Sequence, residues 1–423
     1  MLEIKNIVQQ RQKVEKALGK RKIENLSAML DEIIATDEKR RSIQVENDEV
    51  LAESNSIAKT IGQFMQRGER AEAETAKAKS AELKQKSKSL GQKLKDTEEK
   101  LQDLLYQIPN TPHELVPKGS KEEDNIIVFE KGEPPILPNS AKPHWELIED
   151  YDIIDFKLGV KISGAGFPVY KGKGAQLQRA LINYFLAKAS REGYIEIQPP
   201  ILINEASGIG TGQLPDKEGM MYGMDNDDLY LIPTAEVPIT NIYRDTILKS
   251  EDLPVKNVGY TPCFRREAGS WGSHVRGLNR LHQFDKVEIV QISTPENSYE
   301  ILDEMCHHVA NLLESLELPF RKLRLCGGDL GFTSALTYDF EVYSAAQKKW
   351  LEVSSVSNFE TYQSNRLKLR YKDENNKTRM LHTLNGSALA LPRVLAAILE
   401  NNQHDSHISI PEVLVPYTGF DKI

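Results

Sequence analysis

The segment from 277 to 290, GLNRLHQFDKVEIV, combines an aromatic side chain with charges of both signs in a strand-like pattern. Alternate positions of a strand share one face. Here that face would carry Arg280, His282, Phe284, Lys286 and Glu288. Such a face does not suit an apolar core, because each unpaired buried charge costs on the order of several kcal/mol. An aromatic plane beside guanidinium groups is instead typical of a site for an adenine nucleotide, with the cations at the phosphates.

Three further fragments carry the same kinds of side chain: TAE at 234–236, FRRE at 264–267 and NGSALALPR at 385–393. In the second fragment, Arg265 and Glu267 are two apart and would share a strand face. A single Arg–Glu pair is most often a structural salt bridge, and a lone histidine is more often structural than catalytic. The interpretation as a site therefore depends on the whole set.

The region 146–423 contains the elements that must position these residues. A long amphipathic helix precedes Gly193 and is followed by a strand that ends in two prolines. The segments around 264 and 284 are predicted to form an antiparallel pair. The fragment from 381 onward is predicted as a strand, a turn at Asn385–Gly386 and a helix. At least six strands with helices before, between and after them predict an α+β domain, a mainly antiparallel sheet flanked by helices.

The N-terminal region 1–105 has a different pattern. From about 23 to 105 it has one aromatic residue, Phe64, no proline and heptad-spaced apolar residues, which predicts two long helices that form a coiled-coil arm with a turn at Gly68. Within the second helix, residues 77–95 carry seven lysines against one acid, Glu82: Lys77, Lys79, Lys84, Lys86, Lys88, Lys93 and Lys95. A solvated helix face is one interpretation, and contact with a nucleic-acid backbone is the other. Residues 106–145 are proline-rich and are predicted as a linker.

The bulk composition excludes several classes of protein. The net charge of −8 argues against a generally basic nucleic-acid binder, although local charge can differ from the total. No stretch approaches the ~20 apolar residues of a membrane span, and the charged N-terminus is unlike a signal peptide. Three scattered cysteines are too few for a disulfide framework, so a cytoplasmic location fits.

The fragments, taken together, resemble those of a known family. GYIEIQPP, FRREAGS…RGLNRLHQFDKVEIV and NGSALALPRVLAAILENNQ resemble the three motifs of class II aminoacyl-tRNA synthetases. With TAE and the helical arm, the chain resembles the seryl-tRNA synthetase family of the bacterial type over nearly its whole length. The resemblance implies a homodimer that activates serine with ATP to seryl-adenylate and pyrophosphate. It then transfers the serine to tRNA(Ser), which lies along the arm. Whether tRNA(Sec) is a second acceptor stays open.

For the ATP substrate, the resemblance implies that Arg265 holds the α-phosphate together with the amino-acid carboxylate, while Phe284 stacks under the adenine. Glu267 would accept from the adenine amino group, and Arg280 and Arg393 would meet the terminal phosphates from two sides. Arg265 and Arg393 are the expected catalytic residues. The other residues of the nucleotide site would be Arg266, Glu352, Val353, Ser354 and Ser355.

For serine, the resemblance implies that Thr234 and Glu236 bind the ammonium group, while Glu288 and Ser387 bind the hydroxyl group. The full serine set would be Thr234, Ala235, Glu236, Arg265, Glu288, Asn385 and Ser387. A pocket that hydrogen-bonds the hydroxyl group rejects alanine, because buried partners are then left unpaired.

Among metals, the resemblance implies Mg²⁺ held by Glu352 and Ser355. No zinc is expected: the HDSH fragment at 404–407 has metal-like spacing but no evident third ligand. The sequence departs from the family where the second motif's loop reads WGSHVRG in place of the frequent AGRDTRG. Ser273 and His274 replace an Arg–Asp pair there, which leaves the contacts of that loop with the acceptor end open.

Two other functions compete with this interpretation. A synthetase paralogue that loads a carrier protein would typically lack the long arm. A coiled-coil scaffold with an inactive synthetase-like domain would have lost some ATP-binding positions, whereas Arg265, Glu267, Phe284, Glu352 and Arg393 are all present.

Overall fold

The structure is a computed structural model that describes residues 1–224, 226–267 and 276–423. The chain divides into two compact units. One contains residues 2–19 and 23–109, and the other contains residues 1, 20–22 and 110–423. Among the described residues, no helix is both long enough and apolar enough to span a membrane.

The first unit is helical. Its helices are α1 (Ile4–Gln9), α2 (Arg11–Leu18), α3 (Leu26–Arg67) and α4 (Arg70–Gln107). The predicted hairpin is confirmed: α3 and α4 pack along their length, and Gly68 makes the turn with a φ of 76°, a conformation that glycine adopts without steric cost. Val50, Leu83 and Leu90 form a buried cluster between the two helices.

Ion pairs supplement this thin apolar seam. Lysines seven residues apart on α4 face acids seven residues apart on α3. The distances are 2.6 Å for Lys79–Glu53 and 2.9 Å for Lys86–Glu46. Such exposed pairs contribute little to stability, because water and salt screen them. Their seven-residue spacing matches the register in which the two helices pack.

The second unit contains the following elements in chain order. Its helices are α5 (His144–Asp150), α6 (Phe156–Ile162), α7 (Gly172–Arg191), α8 (Glu205–Thr211), α9 (Glu236–Asn241), α10 (Ser298–Ser315), α11 (Thr361–Leu367), α12 (Leu391–Asn401) and α13 (Val415–Thr418). Its strands are β1 (Ile126–Lys131), β2 (Ile154–Asp155), β3 (Val169–Tyr170), β4 (Ile195–Glu196), β5 (Leu202–Asn204), β6 (Tyr222–Met224), β7 (Leu229–Leu231), β8 (Ile247–Lys249), β9 (Val255–Phe264), β10 (Gln283–Ser293), β11 (Phe320–Arg324), β12 (Leu336–Ser344), β13 (Lys349–Asn358), β14 (Arg370–Lys372), β15 (Thr378–Met380) and β16 (His382–Ala390).

In the part of the chain that the structure describes, the largest sheet has eight strands in the order β1-β11-β12-β13-β16-β10-β9-β4. Neighbours are antiparallel except β4 and β9, which confirms the predicted α+β class. Helices α7, α10 and α12 contribute side chains to the core, which also contains Val287 and Ile289 of β10. Lys286 and Glu288 alternate with these two core residues along β10 and therefore point to the opposite face of the sheet.

Several sequence predictions about these strands were wrong. Strand β10 begins at Gln283, and a 3₁₀ turn occupies Gly277–Asn279, so Arg280 and His282 precede the strand. Strand β9 ends at Phe264, so Arg265 and Glu267 lie beyond it, and Glu267 has a φ of 50°.

The turn predicted at Asn385–Gly386 does not form, because β16 runs through both residues. Gly386 lies between β10 and β13, opposite Ile289 and Val356. A Cβ atom at this position would lie 3.3 Å from the Val356 side chain. The glycine thus allows close packing in the middle of the sheet. In the sequence, the preceding asparagine makes the same glycine look like part of a turn.

The segment 106–145 is not entirely a connection between elements. It contains β1, which pairs with β11 as an edge strand of the large sheet. The predicted domain limits at 105 and 145 remain a prediction.

Candidate active site

The centre of the candidate site lies where β10 and β16 pair. Glu288 is directly opposite Ser387, and the Ser387 Oγ lies 3.3 Å from Glu288 Oε2. Two residues along β16, the Asn385 amide donates to Glu288 Oε1 at 3.0 Å and to Glu236 Oε2 at 2.8 Å. One amide thus bridges two buried carboxyl groups, which come from a strand and from the first turn of α9.

Glu236 is almost completely buried, and burial together with the neighbouring Glu288 raises the pKa of its carboxyl group to about 7. The Gln363 amide donates to the other oxygen of Glu236 at 2.6 Å and lowers this pKa in part. A carboxyl group in this position is poised to gain charge when a cation arrives, because a nearby positive charge favours its ionised form.

A single ammonium group offsets part of the negative charge. Lys286 Nζ lies 2.5 Å from Glu288 Oε2 and donates to Thr234 Oγ1 at 2.8 Å. With both carboxyl groups ionised, the cluster of Glu236, Glu288 and Lys286 carries one net negative charge. It can therefore hold one small cationic group.

Two residues of this cluster were given no role from the sequence. Lys286 had been placed on the polar face of its strand, and its position two residues before Glu288 was the available signal. Gln363 lies on α11 and is completely buried. No local pattern marks it, because its contact with Glu236 joins residues 127 apart in the chain.

A second group of residues, at the ends of β9 and β10, forms the candidate nucleotide site. The Arg265 guanidinium lies 5.1 Å from the centroid of the Phe284 ring. Glu267 is bonded to Arg280 in a close ion pair. An adenine base could replace the Arg265 guanidinium on the Phe284 ring, and a phosphate could replace Glu267 as the partner of Arg280. A guanidinium group can stack its flat face on an aromatic ring and bind an anion at its edge.

Arg393 joins this group from the first turn of α12. Its Nη1 donates to the Glu352 backbone oxygen at 2.7 Å and lies 3.5 Å from the Glu352 carboxylate. Its Nε donates to the Asn279 backbone oxygen at 3.0 Å. Arg393 therefore lies between β13 and the segment that leads to Arg280.

A β-bulge places the two candidate Mg²⁺ ligands on one face. Glu352 and Ser355 are three apart, which would put them on opposite faces of a regular strand. The pairing of β13 with β12 shifts by one residue between them, so that Glu352 is opposite Glu341 and Ser355 is opposite Asp339. The extra residue is Val353, whose side chain is buried in the core.

The surroundings of these two residues fit a divalent cation. Burial and the nearby Glu352 raise the pKa of Asp339 well above its usual range. Among the described residues, Asp339 Oδ1 is a buried oxygen without a hydrogen-bond partner. In the same described part of the chain, no three His, Cys, Asp or Glu side chains converge as a metal cluster. Mg²⁺ does not need one, because it is commonly bound through one or two protein oxygens together with phosphates and water.

The remaining candidate residues are placed as follows. The Ser354 hydroxyl donates to the Ser387 backbone oxygen at 2.5 Å, which connects β13 to β16 between the two groups of candidate residues. Ala235 is buried in a small apolar cluster, and the Arg266 side chain is exposed. The departure from the family at Ser273–His274 lies outside the described residues.

On the arm, the lysines of α4 fall into two groups. Lys79 and Lys86 pair with acids of α3, as given above. Lys77 and Lys95 pair with acids of their own helix. All seven are exposed, and within the described residues no ion pair involves Lys84, Lys88 or Lys93.

Comparison with known proteins gives two family matches. Residues 1–112 match the seryl-tRNA synthetase N-terminal domain, and residues 221–402 match the tRNA synthetase class II core domain (G, H, P, S and T). The chain is 48% identical over 425 residues to the serine–tRNA ligase of Salinibacter ruber, an alignment that covers 100% of this chain and 99% of that protein.

Solved structures agree with these matches. The seryl-tRNA synthetase of Pyrococcus horikoshii complexed with ATP superposes with a TM-score of 0.93 at 34% identity, over 100% of this chain and 99% of that one. The cytoplasmic serine–tRNA ligase of Naegleria fowleri in complex with AMP gives a TM-score of 0.87 at 25% identity, over 100% and 98% of the two chains.

Proposed function

Since the chain belongs to the serine–tRNA ligase family of class II aminoacyl-tRNA synthetases, we propose that the site at β10 and β16 activates serine with ATP and then passes it to tRNA. The observation that carries the proposal is the cluster of Glu236, Glu288, Asn385 and Ser387. Within a few ångströms it offers a carboxylate for an ammonium group and acceptors for a hydroxyl group.

Serine would bind with its ammonium group at Glu236 and Thr234 and with its hydroxyl group at Glu288 and Ser387. The ammonium group would supply the one positive charge that the cluster lacks. Alanine has no hydroxyl group to bond to Glu288 and Ser387, and a site built to hydrogen-bond a hydroxyl group rejects such an analogue by a large factor. Because Asn385 bridges the two carboxyl groups, it would fix their separation.

In the first step, a carboxylate oxygen of serine attacks the α-phosphorus of ATP, the bond to the β-phosphate oxygen breaks, and pyrophosphate leaves. Arg265 would bind the carboxylate and the α-phosphate and so offset the repulsion of two anions. Arg280 and Arg393 would hold the departing pyrophosphate. No protein nucleophile is needed, because alignment of the two reactants supplies most of the rate.

The adenine would lie on Phe284, with its amino group donating to Glu267. This arrangement requires Arg265 to move off the Phe284 ring and Arg280 to exchange its contact with Glu267 for a phosphate. Before ATP binds, Arg265 would thus be stacked on Phe284 and Arg280 would be neutralised by Glu267. Once ATP displaces these contacts, both arginines would be free to bind anions.

Glu352 and Ser355 would hold Mg²⁺, which when bound neutralises phosphate charge and stabilises the leaving group. Both residues lie on one face because of the bulge at Val353. Arg393 contacts Glu352, so the metal ligand and the arginine would act on the same end of the triphosphate.

In the second step, a hydroxyl group of the terminal adenosine of tRNA attacks the carbonyl carbon of the adenylate, and AMP leaves. The tRNA would be recognised by its shape along the lysine-bearing hairpin α3–α4. The residues beyond those of the sequence-based set that would serve this site are Lys286 and Gln363.

We also propose a homodimer in the cytoplasm. Exposed apolar residues on the second unit support an association surface: Ile195 on the edge strand β4, Ile201, Leu202 and Ile242. The three cysteines are free and buried, which is compatible with a reducing compartment. A monomer in sedimentation velocity at micromolar concentration would exclude the dimer.

The test of the central proposal is amino-acid-dependent exchange of pyrophosphate into ATP. The purified protein with Mg²⁺ should catalyse exchange with serine and not with alanine, glycine, threonine or cysteine. Absence of serine-dependent exchange from folded protein would overturn the proposal and favour an inactive scaffold. Preference for alanine or glycine would favour a carrier-loading paralogue.

A further inference from the structure

A buried network of polar side chains lies against the segment that leads to Arg280. His144, the first residue of α5, and Glu400, near the end of α12, are both completely buried. His144 Nδ1 lies 2.6 Å from Glu400 Oε1, and the His144 backbone N–H donates to the same oxygen at 2.9 Å. The Glu400 carboxylate also accepts from the Ser344 hydroxyl and, at 2.8 Å, from the Gln347 amide. None of these four side chains has a role in the steps above.

The second ring nitrogen of His144 points at the backbone of that segment. His144 Nε2 lies 2.8 Å from the Leu278 backbone nitrogen. Because a backbone N–H can only donate, Nε2 bears no proton here, and the proton on Nδ1 goes to Glu400. Glu400 thus sets the tautomer that lets His144 accept from Leu278.

The backbone of Gly277 lies directly against the same ring. Gly277 has a φ of 67°, and a Cβ atom added there would lie 2.3 Å from His144 Nε2. Only glycine satisfies both the backbone conformation and the closeness of the ring. The imidazole and the 277–278 backbone are therefore in contact at two consecutive residues.

Further contacts hold the flanking residues. Trp145 stacks with the Arg276 guanidinium, 5.1 Å from its ring centroid. The Asn279 amide donates to Gln347 Oε1 at 3.0 Å, and the Asn279 backbone oxygen accepts from Arg393 at 3.0 Å. The network thus reaches Arg393 through one residue and precedes Arg280 directly in the chain.

We propose that His144, oriented by Glu400, is a positioning residue that holds Arg280 and Arg393 in place for the terminal phosphates of ATP. This inference rests on the proposed function, because it concerns the nucleotide half of that site. Preorganised cations stabilise developing charge without reorganisation at the moment of reaction, and small displacements of such groups are costly. If His144 had only a structural role, its substitution would lower stability and would not raise the KM for ATP relative to the KM for serine.

Two substitutions of His144 separate its two hydrogen bonds. The amide of His144→Asn reaches about as far as Nδ1, so it keeps a partner for Glu400 and leaves the Leu278 N–H unpaired. The longer side chain of His144→Gln reaches about as far as Nε2 and can accept from Leu278. In serine-dependent exchange, we expect the KM for ATP to rise roughly tenfold in His144→Asn. We expect the KM for serine to stay within about twofold and His144→Gln to recover most of the loss.

The matched control is His308→Asn. His308 is also a buried histidine paired with a glutamate, Glu192, at 2.7 Å, but it lies on α10 and contacts Glu192 and Tyr194, neither of which belongs to the candidate nucleotide site. It should lose stability and leave the KM for ATP unchanged. A similar rise in His308→Asn, equal effects of His144→Asn and His144→Gln, or a parallel rise in the KM for serine would overturn the inference.

A second variant serves if His144→Asn does not fold. Gln347→Met keeps the His144–Glu400 pair and removes the bonds of Gln347 to Glu400 and to Asn279, so the KM for ATP should again rise while that for serine does not. An unchanged KM for ATP in folded Gln347→Met would count against the network. Loss of serine-dependent exchange in the unsubstituted protein is a different result, which would overturn the proposed function itself.

Discussion

At the scale of single residues, the proposed serine pocket is a balance among buried charges. Glu236 and Glu288 share the Asn385 amide, and Lys286 neutralises only one of them. The shared environment keeps a proton on Glu236 to about neutral pH. Binding of an ammonium group should therefore release that proton.

This balance predicts a pH dependence for serine. The pKa of Glu236 is raised from 4.5 to about 7, so the carboxyl group is mostly protonated below pH 7 and ionised above it. Only the ionised form offers a full charge to the ammonium group, so the KM for serine should fall roughly five- to tenfold between pH 6 and pH 8. Exchange kinetics at saturating ATP measure this directly.

The variant Glu236→Gln provides the control. It cannot ionise, so its KM for serine should be high and should lose this pH dependence. The KM for ATP, measured over the same range, should not follow the titration of Glu236. A flat serine profile in the unsubstituted protein would contradict the assignment.

Residue types and spacing predicted much of this site because the strand alternation holds within β10. Phe284, Lys286 and Glu288 do share a face. Gln363 could not be found in this way, since α11 brings it to Glu236 only through the tertiary fold. The contact between His144 and Leu278 likewise joins residues 134 apart and leaves no local signal.

At the scale of elements, the sequence predicted which strands exist better than how they end or bend. The antiparallel pair β9–β10 was predicted, whereas its ends were placed several residues too far. Charged residues such as Arg265 and Arg280 extend the alternating pattern beyond the paired strand residues, although the Arg265 backbone N–H still donates to the His282 backbone oxygen at 2.9 Å. The turn at Asn385–Gly386 was wrong because a glycine can serve close packing as well as a turn.

The bulge in β13 could not be predicted, and it decides whether Glu352 and Ser355 can act together. The pattern EVSS gives no sign that Val353 is the extra residue. If the two side chains hold one Mg²⁺, Ser355→Ala should raise the Mg²⁺ concentration for half-maximal exchange roughly tenfold. A titration of exchange activity with Mg²⁺ at fixed ATP measures that concentration.

Ser357→Ala is the control on the same strand. Ser357 is bonded to Thr337 at 2.9 Å and lies on the same face as Ser355, so its loss should affect stability and not the Mg²⁺ requirement. An unchanged requirement in Ser355→Ala would remove Ser355 from the metal site. The bulge at Val353 would then have no part in metal binding.

At the scale of the whole molecule, an acidic protein must bind an acidic polymer. The net charge is −8, so the proposed contact requires a local concentration of cations, and the lysines of the arm offer one. The sequence showed the lysines of α4 but could not show which of them the opposite helix neutralises. In the structure Lys79 and Lys86 pair with Glu53 and Glu46 across the hairpin.

This difference yields a matched pair of double variants. Lys84→Ala with Lys88→Ala removes two exposed cations for which the described residues provide no ion pair, whereas Lys79→Ala with Lys86→Ala removes two that are already paired with acids. If the arm binds the tRNA backbone, the first variant should weaken tRNA binding and reduce the slope of log K against log salt concentration by about two. The second should change the slope less, because its lysines release fewer counterions.

Serine-dependent exchange should be unaffected in both double variants, since that reaction does not need tRNA. Equal slopes in the two variants would mean that the ion pairs do not decide which lysines meet the phosphates, and an unchanged slope in both would assign the tract to a solvated helix face.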